Sequence, residues 1–305
     1  MTLTIRFGGY QGPQSVHTRA AQEFRSAIAT AAGTDVVVEL QENVTAGGRA
    51  AADLLTMVAQ DELDICYFSS SYLTKQVSAL GAVDLPFHFT NRNDAYAMLD
   101  GPVGNLMAED VARSTNYEVL GYWDNGFRHI SNSIRPILSA DDCTGMRLRT
   151  LDNAFHQKVF RALGFTPTTI DVRDLVPAIK ANQVDAQENP LTNIVNFGIH
   201  EFQPYVTLTS HFFGSAVLLC NRKRLQSWPA EIAAVVRDAA KHATACQRQF
   251  AEEDDDTCLR RLHDAGIAPH TLNAGEMASF QDRLTTLKDE QLAALPVEIS
   301  DLIGG

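Results

Sequence analysis

Three features of the 305-residue sequence predict an α/β protein with two lobes, a hinge and a long bridging helix. Strand and helix patterns alternate in two successive sets, which is typical of mostly parallel sheets covered by helices. Turn-like residues near positions 124–127 and 211–214 predict two crossings of the chain between these sets. A helical pattern of about 35 residues without interior Gly or Pro is long enough, at 1.5 Å per residue, to span both lobes.

The first set has the predicted order βαβαβ. Leu3 to Phe7 alternates as a strand does, and apolar residues from Val16 to Ala31 recur at helical spacing before Gly33, a typical helix C-cap. The other elements of this set are a strand over residues 35–40, a helix over 54–58 and a strand over 63–68. Sheets of this kind bind ligands beyond the carboxyl ends of their strands.

The second set follows a turn predicted at Trp123 to Gly126. Its predicted elements are strands over 127–131 and 146–149, helices over 153–163 and 172–180, a short strand from 184, and strands over 205–210 and 215–221. The long helix runs from Pro229 to about Asp264. The predicted lobes are residues 1–125 with 212–252, and residues 126–211 with 253–305.

Composition excludes two classes of function. The formal net charge is −12 and the pI is near 5.1, so binding to the phosphate backbone of a nucleic acid is not expected. No apolar run approaches the roughly 18–20 residues that a membrane-spanning helix requires, so the chain is not expected to span a membrane.

Motifs for cofactors and metals are not found. The five cysteines include no CxxC pair, the nine histidines include no HExxH spacing, and no GxGxxG or GxxxxGK[ST] motif occurs. No cofactor and no metal site are therefore expected. The densest acidic run, Glu252 to Asp256, is interpreted as a solvated helix face because it does not match a calcium-binding loop.

The start of the chain and its cysteines bear on localisation. Met1 to Phe7 has neither the basic segment nor the apolar segment of a signal peptide, so none is expected within this sequence. Unpaired thiols are more usual in a reducing compartment, which argues mildly against export.

Two arginines at predicted strand positions are candidate ligand groups. Arg128 and Arg149 could each bind a carboxylate through two parallel hydrogen bonds, although spacing alone favours ordinary surface arginines. The polar segment Asp185 to Pro190 follows a predicted strand, and it could contribute ligand contacts or simply cap the next helix.

Several segments carry a family resemblance: Gly126-Phe127-Arg128, DCTGMRLR at 142–149, the segment 165–168, and above all VDAQENPLTNI at 184–194. Together with 84–87 and the opening strand and helix, they resemble solute-binding proteins of tripartite ATP-independent periplasmic (TRAP) transporters over roughly residues 3–295. The resemblance implies the periplasmic-binding-protein architecture, with two α/β lobes that close on an organic acid.

The resemblance also implies roles for four residues. Arg149 corresponds to the position that pairs with the substrate carboxylate, Asn189 to an amide that helps to hold it, and Arg128 to a second cationic contact. Val172 corresponds to a side chain that packs on the ligand. The sequence departs from the family at Ala186, where glycine is common, and at residues 45–48, which replace a glycine-leucine pair.

Weaker ligand candidates rest on position alone. They lie at strand exits of the first lobe or beside the hinge: Tyr10, Glu42, Asn43 and Ser69, and then Trp123 and Phe212.

The function predicted by the resemblance is capture of a small organic acid, a carboxylate or dicarboxylate, and its delivery to the membrane subunits of a TRAP transporter from the periplasm. One alternative is a cytoplasmic carboxylate sensor or sequestering protein on the same fold, which would suit the missing signal peptide and the five thiols. A less favoured alternative is an enzyme acting on a carboxylate. No pair of acid and base or of nucleophile and base is evident, so no catalytic residue is expected.

Overall fold

The computed structural model describes residues 2–304, which contain nine strands and eleven α-helices. The strands are β1 Leu3–Gly8, β2 Val36–Gln41, β3 Ile65–Ser69, β4 Tyr117–Asn132, β5 Arg147–Thr150, β6 Thr166–Thr169, β7 Ala186–Pro190, β8 Tyr205–Asn221 and β9 His270–Thr271. The helices are α1 Val16–Ala32, α2 Asp53–Ala59, α3 Arg92–Asp100, α4 Pro102–Ser114, α5 Ala154–Ala162, α6 Val172–Lys180, α7 Leu191–Asn196, α8 Arg222–Ser227, α9 Ala230–Asp264, α10 Ala274–Ala293 and α11 Val297–Gly304.

The strands form one sheet in the order β2-β1-β3-β8-β4-β7-β5-β6, with β9 beside β8. At one end β1 pairs in parallel with β2 and β3, and at the other end β5 pairs in parallel with β6 and β7. The pairs β3–β8, β8–β4 and β4–β7 are antiparallel. The predicted α/β class is confirmed, with two parallel regions joined through two long antiparallel strands.

Local sequence signals determine where several of the predicted helices begin and end. Ser15 caps α1 by accepting a hydrogen bond from the amide of Thr18, and Gly33 ends the helix with φ of 55°. Helix α6 has the predicted bounds, and α9 is a single helix of 35 residues. The predicted βαβαβ order of the first set is confirmed.

The predicted turn at Trp123 to Gly126 and the predicted break at residues 211–214 are both wrong. β4 and β8 continue through these segments and pair with each other from Tyr117 opposite Asn221 to Asn132 opposite Tyr205. The register shifts between Asp124 and Gly126, which is a β-bulge that bends the strand without ending it. Turn-forming residues therefore become a bulge because the neighbouring strand supplies continuous pairing.

Gly126 is required at this bulge. Its φ is +86°, a backbone region that other residues rarely adopt, and a Cβ atom there would lie 2.9 Å from the Cβ of Pro190. The close approach brings β4 against the end of β7.

Three apolar clusters fill the molecule. The first combines β1–β3, α1, α4 and the early part of α9, the second surrounds Phe160 and Phe280, and the third surrounds Leu175 and Ile194. We retain the two lobes as a proposal, with one change from the predicted bounds. Leu295 and Ile299 pack in the first cluster, so the C-terminal residues leave the second lobe to which 253–305 were assigned.

Helix α9 joins the two regions. Its residues Val236 to Ala243 pack in the first cluster, whereas Cys258 and Leu262 pack in the third. Within residues 2–304, none of the helices has the length and apolar character needed to cross a membrane.

The middle of α9 is tied to the bulge of β4 through Asp124. The side chain of Gln247 accepts a hydrogen bond from the Asp124 amide at 2.7 Å and donates one to its carbonyl oxygen at 2.6 Å. The Asp124 carboxylate accepts hydrogen bonds from Arg92 at 2.6 Å and from the hydroxyl of Tyr96 at 2.7 Å. The contacts with Gln247 satisfy the backbone groups of Asp124 at the bulge.

We expect Gln247→Leu to lower the free energy of unfolding by about 2–4 kcal/mol, because it leaves two buried backbone groups without partners. Urea denaturation measures the change. The matched control is Gln249→Leu, on the exposed face of the same helix, which should change stability by less than about 0.5 kcal/mol. Equal stability of the two variants would contradict the role of Gln247.

Candidate functional site

A small cavity of about 30 Å³ lies where the two regions meet. Six predicted ligand residues line it: Tyr10, Ser69, Arg128, Arg149, Val172 and Asn189. Six of the twelve lining residues are thus among the sequence-based candidates, and their contact with a ligand stays a prediction.

Six further residues line the same cavity and were not predicted: Ala51, Phe68, Tyr72, Asn125, Leu151 and Asn193. For two of these residues the sequence did contain an indication. Asn193 lies inside the segment at 184–194 that carried the family resemblance, and Phe68 precedes the predicted Ser69. Asn125 was missed because its segment was interpreted as a turn.

Arg149 lies near the end of β5 and is 2% exposed. Its Nε donates a hydrogen bond to the carbonyl oxygen of Ile170 at 2.8 Å, which fixes the plane of the guanidinium group. Among residues 2–304, neither Nη1 nor Nη2 has a hydrogen-bond or ion-pair partner. The outer edge of a positioned guanidinium is thus available to the cavity, and that edge matches a carboxylate with two parallel hydrogen bonds.

Arg128 differs because its charge is already balanced. Its Nε forms a buried ion pair with Glu188 Oε2, and its Nη2 donates to the carbonyl oxygen of Glu188 at 3.0 Å. Thr150 donates to the other carboxylate oxygen at 2.9 Å. Burial alone would raise the pKa of the Glu188 carboxyl, but the charge of the Arg128 guanidinium beside it holds that pKa well below its ordinary value. Glu188 is therefore ionised, and the pair is neutral.

The segment Asp185 to Pro190 was expected to follow a strand, but residues 186–190 form β7 itself. This strand pairs with β4 so that Asn189 lies opposite His129 and Pro190 opposite Arg128. The pairing brings Glu188 and Arg128 together although they are 60 residues apart in sequence. Helix α7 begins after Pro190 without a side-chain cap, so the alternative of a local cap does not apply.

A chain of side-chain amides crosses the cleft. Asn189 donates to Gln187, Asn193 donates to Asn189 Oδ1 at 3.1 Å, and Gln11 donates to Asn193 Oδ1 at 3.3 Å. His17 Nδ1 lies 3.0 Å from Gln11 Oε1 at the end of the chain. Each amide nitrogen has a second N–H, so Asn189 and Asn193 can still donate into the cavity.

Asn125 contributes a hydrogen-bond acceptor to the cavity, in contrast to the amide donors described above. The residue is 2% exposed, and its Oδ1 is a buried acceptor without a hydrogen-bond partner among the described residues. An unsatisfied buried acceptor that lines a cavity is suited to a hydroxyl group of a ligand.

Four predicted ligand residues lie outside the lining. Glu42 accepts a hydrogen bond from Gln22 at 2.8 Å, and Asn43 caps the short 3₁₀ turn that follows it. Trp123 is fully buried in the first cluster. Phe212 stacks on His156 in the second cluster, with ring centroids 4.3 Å apart. Trp123 and Phe212 lie in β4 and β8 with their side chains in the cores, whereas Glu42 and Asn43 follow β2 and are occupied by local hydrogen bonds.

Direct hydrogen bonds join the two regions. Asn153 donates to the carbonyl oxygen of Ser71 at 2.8 Å and to Asp84 at 3.2 Å, and Arg173 donates to the carbonyl oxygen of Gly48 at 3.0 Å. Both contacts join residues that are far apart in the sequence.

Comparison with known proteins identifies the family. Residues 7–294 match the model of the DctP family, described as bacterial extracellular solute-binding protein, family 7. The chain belongs to this family. The predicted TRAP resemblance and the predicted function as a solute-binding protein are thereby confirmed.

Individual relatives agree with this assignment. Protein y4mM of Sinorhizobium fredii is 33% identical over 256 residues, which cover 83% of this chain and 46% of that protein, about half its length. The 2,3-diketo-L-gulonate-binding periplasmic protein YiaO of Escherichia coli is 23% identical over 264 residues, covering 87% of this chain and 80% of YiaO.

A solved structure matches nearly the whole chain. The sugar acid binding protein of Advenella mimigardefordensis, in complex with galactonate, superimposes with a TM-score of 0.94 at 25% identity and covers 99% of this chain and 96% of its own. The match confirms the predicted periplasmic-binding-protein architecture.

His17 should make stability pH-dependent. Burial lowers its pKa to about 3, against about 6.5 in an unfolded chain. Between these values the unfolded state binds more protons, so stability falls as the pH falls. From pH 7.5 to 5, above the range of ordinary carboxyl groups, His17 should account for a loss of about 2 kcal/mol in unfolding free energy.

Urea denaturation at several pH values tests this expectation. The unfolding free energy of His17→Gln should fall about 2 kcal/mol less than that of the parent over the same pH interval. His263→Gln, at an exposed position of α9, is the control. An unchanged pH dependence in His17→Gln would contradict the assignment.

Proposed function

We propose that the protein binds a hydroxylated monocarboxylate of the sugar-acid type in the cavity, with Arg149 as the carboxylate ligand. The complex then delivers this solute to the membrane subunits of a TRAP transporter, and the periplasm is the compartment in which it works. The observation that carries the proposal is the free outer edge of the buried Arg149 guanidinium.

Charge balance supports a single carboxylate. Arg128 and Arg149 are the charged residues among the twelve that line the cavity, and Arg128 is neutralised by Glu188. One unpaired positive charge remains. A second carboxylate would have to be desolvated without a matching cation, which is costly in a buried site.

The neutral polar groups support hydroxyl substituents. Asn125 Oδ1 can accept from a ligand hydroxyl, while Asn189 and Asn193 can each donate one. Ser69 and Tyr72 add hydroxyl groups to the lining. The related protein from Advenella mimigardefordensis binds galactonate, an acid of this type.

The alternatives have less support. The twelve lining residues include no Asp, Glu, His, Cys or Lys, and burial raises the pKa of both lining tyrosines, Tyr10 and Tyr72. Proton transfer near neutral pH therefore has no suitable group in the lining, which supports a binding protein over an enzyme. Family membership supports a transport role in the periplasm over a cytoplasmic sensor.

We expect Arg149→Ala to weaken binding by about 3–5 kcal/mol, because a desolvated carboxylate loses its partner. Arg149→Lys should bind better than the Ala variant but below the parent, since lysine lacks the planar fork. Asn189→Ala should cost about 1–3 kcal/mol. Calorimetric titration measures each value, with the acid that most raises the melting temperature in a screen of sugar acids and C4 dicarboxylates.

The matched control is Arg147→Ala, two residues earlier on β5, where the side chain pairs with Asp185 at 47% side-chain exposure. It should bind like the parent. Circular dichroism melts confirm folding of each variant. Binding by Arg149→Ala within about threefold of the parent would show that the carboxylate is held elsewhere.

Solute binding should favour the closed cleft. The contacts of Asn153 with Ser71 and Asp84 form only when the lobes approach, so a bound acid that bridges them should reduce the radius of gyration. Small-angle scattering with and without saturating acid measures this. Arg149→Ala at the same acid concentration should show no contraction, and an unchanged radius in the parent would argue against closure.

A further inference from the structure

Three potential metal ligands converge on the outer surface where α1 packs against α9. They are Glu23 on α1 and His242 and Cys246 on α9, and their ligand atoms all lie within 4.8 Å of one another. None of the three lines the solute cavity. This cluster is separate from the proposed binding site.

The helix geometry explains two members of the cluster. His242 and Cys246 are four residues apart in α9, so their side chains lie on the same face one turn apart. The third member joins them only because α1 packs along α9, and so the sequence motifs gave no indication of a metal site. The earlier expectation of no metal site rested on the lack of CxxC and HExxH motifs, which are patterns within one segment of the chain.

The distances match a tetrahedral metal centre. Cys246 Sγ lies 3.6 Å from His242 Nε2, and His242 Nε2 lies 3.6 Å from Glu23 Oε2. Zinc bonds of ordinary length at a tetrahedral angle separate sulfur from nitrogen by about 3.6 Å and nitrogen from oxygen by about 3.4 Å. Two of the three separations are therefore close to those around a shared ion, and the third, between Cys246 and Glu23, is within 4.8 Å.

The donor types select the class of ion. A thiolate with an imidazole and a carboxylate suits Zn²⁺ and similar thiophilic divalent ions, whereas Mg²⁺ and Ca²⁺ prefer oxygen ligands alone. Cys246 is also the one cysteine of five that is not buried. A divalent ion that binds there would displace the thiol proton of Cys246 to solvent, because the thiolate is the form that coordinates metals.

We propose that Glu23, His242 and Cys246 form a binding site for one Zn²⁺ or another thiophilic divalent ion, which links α1 to α9. Three protein ligands leave the fourth tetrahedral position for water. Because both helices pack in the first apolar cluster, the bound ion stabilises that region independently of solute binding.

Titration of the tag-free protein with Zn²⁺ alone, in competition with a chromophoric chelator and without any organic acid, tests the site. The parent should bind one equivalent tightly. Cys246→Ser and His242→Ala should each weaken binding at least about tenfold, since even loss of a group that only supports a ligand typically weakens metal affinity by that factor. Glu23→Gln should weaken it less.

A second readout reports coordination by sulfur directly. Substitution with Co²⁺ should give a thiolate-to-metal charge-transfer band in the parent and none in Cys246→Ser. Zn²⁺ should also slow the reaction of Cys246 with a disulfide reagent, and a chelator should restore the rate. Melting curves establish that each variant is folded.

The matched control is His270→Ala, which removes the histidine of a surface His–Glu pair, 2.9 Å from Glu276, that has no cysteine. It should bind Zn²⁺ like the parent. The proposal is overturned if Cys246→Ser or His242→Ala keeps the parental Zn²⁺ affinity within about twofold. It is also overturned if His270→Ala loses as much Zn²⁺ affinity as Cys246→Ser and His242→Ala do. If the three side chains form only a hydrogen-bonded cluster, the parent should bind no Zn²⁺, or the ligand variants should bind it as the parent does.

Discussion

The charge of the solute cavity depends on the buried pair of Arg128 and Glu188. Both side chains are almost completely buried, and either one alone would be strongly destabilising there. Together they are neutral, and Thr150 completes the hydrogen bonding of the carboxylate. Arg149 is consequently the single unpaired cation of the lining. Without Glu188, the guanidinium groups of Arg128 and Arg149 would both be unpaired beside the cavity, and two positive charges would favour a dicarboxylate.

Residues 124–126 of β4 lie both at the proposed crossing between the lobes and beside the cavity. Asp124 is tied to α9 through Gln247 and to α3 through Arg92, while the next residue, Asn125, lines the cavity. Gly126 then allows the bulge that brings β4 against β7. In the proposed two-lobe arrangement β4 is one of the segments that connect the lobes, so the residue that lines the cavity lies directly beside a proposed crossing.

Local interactions explain what the sequence determined. The bounds of α1 follow from a serine cap and a glycine stop, and the length of α9 follows from 35 residues without an interior Gly or Pro. The parallel arrangement of β1–β3 follows from the βαβαβ order. Arg149 was identified through the family resemblance, because spacing alone did not distinguish it from a surface arginine. All of these features depend on residues close in sequence or on a shared segment pattern.

Tertiary structure alone decided the rest, because the contacts join residues far apart in the chain. β4 and β8 remain unbroken because each pairs with the other over most of its length, so the predicted turn and break become bulged strand segments. The bulge between Asp124 and Gly126 interrupts the regular alternation of side chains, so Trp123 packs in a core whereas Asn125, two residues later, lines the cavity. Glu188 neutralises Arg128, and Glu23 joins His242 and Cys246, only after strands and helices have packed. The spacing of residues in the sequence does not predict which side chain of a distant element will come within hydrogen-bonding distance.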